Sequence, residues 1–460
     1  MTLAGVAGSF RDPSGFVFTR DGVIHRQVNM IYREEYDLLR SCGLYDALVE
    51  RGLLIPHAEV DVAAAPAPGA YKVLRPEPLD FVAYPYEWCF SQLKDAALTT
   101  LDIQDLALEH GMSLRDASAF NIQFHRGSAV FIDTLSFEAA PQGRPWVAYR
   151  QFCQHFLAPL ALMSLVDVRL GQLSRVHLDG VPLDLASALL PRTTRLRPGL
   201  LMHLHAHAKS QSRHAGDVAS AQKARTGEVS DRALRGLVDN LRSTVRRLDW
   251  QPRETEWVDY YEGDSYSDAS FEHKTALVTK FVEQVAPRTA WDLGANTGRH
   301  SQIASDAGAF TVAFDIDPGA VEAGYRQMKA DGQQRLLPLV LDLTNPSPAI
   351  GWHNSERGSV PERGPVDLIM ALALVHHLAI SNNVPLERIA RFLAELGPSL
   401  IIEFVPKSDP KVQVLLASRA DIFPDYHLDG FEAAMSTRFT VEQSEPIRGT
   451  DRTLFLLRRR

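Results

Sequence analysis

Cysteine is scarce in this chain of 460 residues: it has three, Cys42, Cys89 and Cys153. They show no zinc-ligand spacing and fit a reducing cytosol, so no metal centre and a cytoplasmic setting are expected. Long apolar runs are missing too. The longest, residues 156–166, falls well short of the roughly 20 residues that cross a bilayer, and reads as a buried helix. Residues 1–11 lack a basic region followed by an apolar run, so no signal peptide is expected. Basic charge is not in excess: 48 Lys and Arg face 56 Asp and Glu, a formal net charge of −8. A nucleic-acid or anionic-membrane partner therefore has no global electrostatic drive. The dinucleotide fingerprint Gly-x-Gly-x-x-Gly is also absent.

What is present is a chain long enough for two or three domains. Its hydrophobic content of 45% and charged content of 23% are those of a soluble globular protein. The most informative stretch is 288–298, Arg-Thr-Ala-Trp-Asp-Leu-Gly-Ala-Asn-Thr-Gly. It reads as a strand, a tight turn and the start of a helix. Glycine lets the backbone approach a ligand there, because it has no Cβ and tolerates positive φ. A second strand, 310–314, ends in Asp315, where a βαβ unit puts a carboxylate near a ribose. An acid two positions before the first glycine suits a ligand with a cationic amine.

The order Asp292, Gly294, Asn296, Gly298, with Asp315 beyond it, resembles the first motif of the class I methyltransferases that use S-adenosylmethionine. The resemblance implies that Asp292 lies near the methionine end of that cofactor. It implies that Gly294, Asn296 and Gly298 pass close to the cofactor and that Asp315 binds the ribose hydroxyls. It spans about 255–460. The strand 336–341 ends at Asp342, where the family places an acid near the adenine amine. Residues 366–374 form an apolar strand running into His376 and His377, a helix follows at 385–396, and strand 399–404 carries Glu403. Runs 437–444 and 453–457 match the antiparallel pair that ends this fold, a Rossmann-like seven-stranded sheet. The polar-aromatic series Tyr260, Tyr261, Tyr266 and the helix 271–284 with Lys274 come just before it. In the family such a segment closes over cofactor and substrate, which makes Tyr266 and Lys274 cofactor-site candidates; surface and packing roles are the alternative.

Methyl transfer is a displacement, and a general base is needed only if the acceptor must lose a proton. His376 and His377, at a strand's carboxyl end, are candidates for that base or for shaping the pocket. Glu403 is a candidate for orienting the acceptor.

Earlier in the chain, 15–29 reads as a hairpin turning at Asp21-Gly22, and 32–51 as a helix. Runs 71–74 and 79–83 read as strands, and 90–109 as a long helix. Asp116, Asn121 and Asp133 then follow in the order and at spacings similar to those of the kinase-like fold, most nearly that of small-molecule phosphotransferases. The resemblance implies an α+β kinase-like domain in which these three oxygen-bearing side chains hold magnesium against phosphates. The sequence departs from the family: there is no glycine-rich loop in 1–30, Lys72 lies too near the hinge at 84–88, and Asp133 is followed by Thr-Leu-Ser. A scaffold that binds substrate or a partner thus stands beside phosphotransfer. His203, His205 and His207 alternate, with a metal role set against packing or a solvent-facing role.

The expected organisation is a kinase-like domain at 1–208, a linker and connecting helix at 209–250, and a methyltransferase domain at 251–460. The expected reaction is methyl transfer from S-adenosylmethionine to oxygen or nitrogen of a small-molecule acceptor. The alternatives are a bifunctional protein with a magnesium/ATP phosphotransferase domain, and a cofactor-binding interaction protein without turnover. The chain as a whole also resembles a group of bacterial proteins, some of them nodulation-related, that join such an N-terminal region to a methyltransferase. The acceptor atom and the oligomeric state are not legible.

Overall fold

The computed structural model describes residues 3–140, 143–206, 229–252, 267–417 and 419–460. Residues 209–228 of the expected linker, which runs to 230, lie outside the described residues, as do His207, Tyr260, Tyr261 and Tyr266. The chain divides into two compact units. One comprises Met1–Trp250 together with Ala349–Arg357, and the other Gln251–Pro348 together with Gly358–Arg460.

The first unit is α+β. A five-stranded antiparallel sheet holds β1 (Leu3–Gly5), β2 (Gly15–Arg20), β3 (Val23–Asn29), β4 (His57–Val60) and β5 (Ala70–Pro76), in the order β1-β2-β3-β5-β4. The β2–β3 hairpin turns at Asp21 and Gly22, both at positive φ (52° and 78°). The expected helix at 32–51 is two helices, α1 (Arg33–Ser41) and α2 (Leu44–Glu50). Gly43, at φ 80°, breaks it: a left-handed residue cannot continue a right-handed helix. The expected strand at 79–83 does not form, and the backbone accounting says why. The buried Gln123 side chain accepts from the Ala83 N–H (2.9 Å) and donates to the Ala83 carbonyl (3.0 Å), so that peptide has no groups left for a ladder.

Helix α3 (Phe90–Glu109) is the spine of the rest of this unit. It buries Phe90, Leu93, Ala97, Leu101 and Ile103, with residues on nearly every face. Two short antiparallel ladders follow it: β6 (Met112–Leu114) with β9 (Phe137–Ala139), and β7 (Ile122–His125) with β8 (Ser128–Phe131). The apolar run at 156–166 is a buried helical segment, α4 (Ala158–Leu165), preceded by a π-helical turn. Helix α5 (Asp231–Arg246) starts at a Ser230 cap, whose Oγ accepts from Ala233 N. It buries a stripe of Leu234, Val238, Leu241 and Val245, while Arg242 bridges to Asp102 and Asp105 of α3.

The second unit is α/β, built on one seven-stranded sheet. Its strands are β10 (Thr289–Leu293), β11 (Phe310–Asp315), β12 (Leu336–Val340), β13 (Leu368–Ala371), β14 (Ser399–Phe404), β15 (Phe439–Pro446) and β16 (Thr453–Arg459). Their order is β12-β11-β10-β13-β14-β16-β15. The first five are parallel, and β16 is antiparallel to both β14 and β15. This is the methyltransferase variant of the Rossmann-like sheet. Its helices are α6 (Asp268–Val285), α7 (Arg299–Asp306), α8 (Pro318–Ala330), α9 (Leu386–Leu396), α10 (Pro410–Ala417) and α11 (Leu428–Ser436). All four residues of β13 and the first five of β11 are buried, the signature of strands covered on both faces. The apolar run at 366–374 is longer than its strand, because Ala373 at φ 50° turns the chain out of the sheet.

Candidate functional site

The strand order fixes where ligands can meet this sheet. Strand β10 has β11 on one side and β13 on the other, and the chain crosses from one half of the sheet to the other there. Such a switch point opens a crevice at the carboxyl ends of the strands. Asp292 and Asp315 lie at those ends of β10 and β11, and Asp342 follows β12; His376 follows β13, and Glu403 is near the end of β14. Three acids thus edge one half of the crevice, and His376 and Glu403 edge the other.

The turn after β10 is as tight as its composition suggests. Gly294, Asn296 and Gly298 all have positive φ (78°, 53° and 84°), and Asn is the side chain that best tolerates this besides glycine. A Cβ on Gly294 would come within 3.2 Å of Leu374, so that position has little room for any side chain. The Asn296 N–H donates to Asp315 Oδ2 (2.7 Å), and the Asp317 N–H donates to Oδ1 (2.9 Å). Asp315 is held by backbone on both oxygens, with Ile316 as a third backbone donor. Ile316 beside it is 58% exposed, an apolar surface at the rim. Thr344 bonds Asp342 Oδ1 through both its N–H (2.8 Å) and its hydroxyl (2.6 Å).

Asp292 is 1% exposed. Its Oδ2 accepts from Ser301 Oγ at 2.6 Å, whereas Oδ1 has no hydrogen-bond partner among the described residues. Burial pushes this carboxyl up to about 7, against the Ser301 hydrogen bond and the charge of Lys274, which favour ionisation. An orphaned carboxylate oxygen is costly in a core, and a cationic amine would relieve it.

His376 is fully buried, and neither ring nitrogen has a hydrogen-bond partner among the described residues. Burial, reinforced by His377 and Arg452, holds its pKa well below the usual range, so the ring is neutral at physiological pH. The His377 ring lies 4.1 Å away, centre to centre, and burial lowers its pKa to about 4. The backbone around the pair is unusual: Ala373 is left-handed, and His377–Ser381 is a π-helical turn. Both features concentrate at functional sites.

Glu403 and Lys274 are structural partners. Lys274 Nζ of α6 lies 2.7 Å from Glu403 Oε2, with the side chains 4% and 0% exposed. On the other side Arg452 reaches Glu403 (3.3 Å) and Asp409 (2.7 Å). This chain of four charges underlies the sheet edge; its geometry places Lys274 and Glu403 on each other. Sequence reasoning missed Ser301, His300, Asp409 and Arg452. His300 is buried, and its pKa is lowered to about 3 by burial. Ser301 and His300 had a signal, because they open the helix that follows the glycine turn. Arg452 had none, being 49 residues from Glu403.

In the first unit Asp116, Asn121 and Asp133 do come together: Asn121 and Gln151 hydrogen-bond Asp116, and Asp133 raises its pKa, second to burial. The protein's own groups engage all three. Arg26 of β3 pairs with Asp133 Oδ1 at 2.7 Å, Ser136 Oγ donates to Asp133 Oδ2 at 2.8 Å, and the Ser118 N–H donates to Asp116 at 2.9 Å. Arg26 carried no sequence signal, because the kinase-like resemblance leads to the expectation of a lysine. Lys72 pairs with Glu59 instead (2.6 Å). His203 bonds Tyr149 and Asn240, and His205 bonds Ser187 and Thr194, all at 2.8 Å, which occupies both nitrogens of each ring.

No protein-family model matches the chain. The nodulation protein NoeA of Rhizobium meliloti (strain 1021) is 36% identical over 459 residues, covering 99% of this chain and 96% of that protein. Three solved structures overlap less than half of the chain. The bifunctional kinase-methyltransferase WbdD covers 44% of this chain and 42% of its own, at 14% identity and a TM-score of 0.32. The magnesium protoporphyrin IX methyltransferase of Synechocystis PCC 6803 with bound SAH covers 45% and 94%, at 17% and 0.31. The N-methyltransferase NodS of Bradyrhizobium japonicum WM9 covers 42% and 98%, at 10% and 0.33. The fold assignment rests on the strand order itself.

Proposed function

The chain belongs to the family of the nodulation protein NoeA, and we propose that it is an S-adenosylmethionine-dependent methyltransferase. The acceptor would be oxygen or nitrogen of a small, specialised metabolite. The observation that carries this reading is the β10 turn: three alternate left-handed positions beside a buried Asp292 Oδ1 that has no hydrogen-bond partner among the described residues, with Asp315 held by backbone next to it. The residues fit the cofactor's groups. Asp292 would take the cationic amine, Asp315 the two ribose hydroxyls, Asp342 the adenine amine, and Ile316 offers an apolar surface to the ring. Gly294 and Gly298 would keep side chains out of the path.

When bound, S-adenosylmethionine supplies an electrophilic methyl group. The chain's own contribution is to hold the acceptor in line and dry. His376 carries one ring N–H and one bare ring nitrogen, both without a protein partner, so it would orient an acceptor group by donating to it and accepting from it. A buried neutral imidazole is a weak base, which suits an acceptor whose proton leaves easily. The ion chain Lys274–Glu403–Arg452–Asp409 would act beneath, fixing β14 against α6 rather than touching the acceptor. In the first unit the Asp116, Asn121 and Asp133 cluster would serve as a scaffold for substrate capture. A cytoplasmic setting fits the three free thiols. No helix among the described residues is long and apolar enough to cross a membrane.

The test is mass spectrometry of metabolites from cells with the wild-type protein, with an Asp315→Ala variant, and with neither. The proposal expects at least one metabolite to gain a methyl mass with wild type only. An unchanged metabolite profile, together with no release of S-adenosylhomocysteine by the purified protein, would count against it.

A further inference from the structure

The far edge of the same sheet carries a second cluster that the methyl-transfer reading does not use. Strand β14 runs from Ser399 to Phe404, with Glu403 at the candidate site. At its opposite end Ser399 is paired with Arg458 of β16. There a pocket of about 410 Å³ is lined by Arg391, Arg438, Arg459 and Arg460, with Ala394, Glu395 and Thr437. All four arginines are exposed. They come from three places in the sequence: α9, the turn after α11, and the end of β16. The fold has brought them together.

Four other arginines of this unit have their charge answered by acids within it. Arg452 is paired with Glu403 and Asp409, Arg458 with Glu442, Arg326 with Glu322 and Arg288 with Asp367. The pocket is different. Among the described residues, Arg391, Arg438 and Arg460 form no ion pair, and Arg459 donates to the Ala394 carbonyl at the end of α9 (2.9 Å). That contact explains one arginine as a helix C-cap. It leaves three guanidinium groups facing one carboxylate side chain, Glu395, in a chain whose net charge is −8. Like charges held around one cavity repel one another, and a bound anion turns that repulsion into attraction. Guanidinium is the side chain suited to phosphate, because its planar fork donates two parallel hydrogen bonds to two oxygens.

We propose that this pocket is a second ligand site, separate from the cofactor crevice, that binds a molecule carrying two or more phosphate groups. Glu395 offsets one of the four arginine charges, and a single phosphate, at about −2, would offset two more. The charge that remains selects for more than one phosphate. The phosphates could sit on a soluble metabolite or on a lipid headgroup.

The probe is inorganic pyrophosphate, titrated into the full-length protein by calorimetry at low salt. The site should bind one pyrophosphate, and added salt should weaken binding steeply. Replacing Arg438 and Arg460 together by alanine should weaken it by about ten-fold or more. Glu395→Gln, which removes the opposing carboxylate, should tighten it; this variant gives an answer even if the double one folds poorly. Binding should persist in Asp315→Ala, which separates this site from the cofactor crevice. Sedimentation with phosphatidylcholine vesicles, with or without phosphatidylinositol bisphosphate, tells the sources apart. Capture by the charged vesicles, lost in the double variant, assigns a headgroup; pyrophosphate binding without capture assigns a soluble ligand. No pyrophosphate binding at millimolar concentration, or equal affinity in wild type and both pocket variants, overturns the proposal.

Discussion

Lys274 and Glu403, 129 positions apart in the sequence, form an ion pair of 2.7 Å in which neither side chain is more than 4% exposed. Glu403 also answers Arg452, so it serves two buried cations, whereas Lys274 has an anionic partner that keeps a second cation. Removing one member of a buried pair strands the other charge, at about 3–5 kcal/mol. Glu403→Gln should therefore destabilise by that order, and Lys274→Met by clearly less, because Glu403 retains Arg452. Chemical denaturation of the two variants checks the ranking. Equal costs would mean that Arg452 is satisfied by Asp409 alone.

Asp292 and the buried histidines should set the acid stability of the second unit, with opposite signs. His300 (about 3), His377 (about 4) and His376 (well below the usual value) are all depressed in the fold by burial. Depressed histidines bind fewer protons folded than unfolded, so stability is lost as pH falls below about 6.5. Asp292, raised to about 7, does the reverse: its contribution is lost as pH rises from about 4 through 7. Asp315, also raised by burial, opposes the histidines too, but three groups outweigh two. Between pH 6 and 5 the net loss should be of the order of 1–3 kcal/mol per pH unit, from about 1.4 per group. An Asp292→Asn variant should be steeper still. Denaturation midpoints across that range measure both.

The raised Asp292 carboxyl also predicts proton linkage to the cofactor. A cationic amine placed at Oδ1 favours the ionised form and draws the pKa down. Binding of S-adenosylmethionine near pH 6.5 should therefore release protons, and affinity should rise with pH up to about 7. Calorimetry in two buffers of different ionisation enthalpy counts the protons. Asp292→Asn should abolish the release.

For the first unit, the ion pair of Arg26 with Asp133 and the hydrogen bonds to Asp116 predict no magnesium-dependent nucleotide binding. Titration of ATP and magnesium into the full chain should give no saturable signal at millimolar concentration. Binding that Asp133→Ala removes would restore the phosphotransfer reading.

The site was legible in the sequence wherever a backbone conformation demanded a residue type. Gly294, Asn296 and Gly298 announce left-handed φ, and acids at the ends of apolar runs announce strand ends, so Asp292, Asp315 and Asp342 could be found without coordinates. The ion chain could not. Lys274 and Glu403 read as site candidates but not as each other's partners, and Arg452 and Asp409 gave no signal, because only the fold joins the four. The strand expected at 79–83 failed because its polar partner, Gln123, is forty residues away. The stretch after β12 shows the same limit: residues 345–365 are rich in Pro, Gly, Ser and charges and read as an insertion or loop, yet Ala349–Arg357 belongs to the first unit. There Arg11 grips Glu356 at 2.6 Å across 345 positions.

The most direct measurement is calorimetric binding of S-adenosylmethionine to the full chain and to Asp315→Ala. The account predicts one site in the wild type. It predicts a loss of roughly 2–4 kcal/mol in the variant, the cost of two hydrogen bonds to a charged acceptor. That is about 30- to 1,000-fold in affinity. No binding by the wild type, or the same affinity in both proteins, would contradict it.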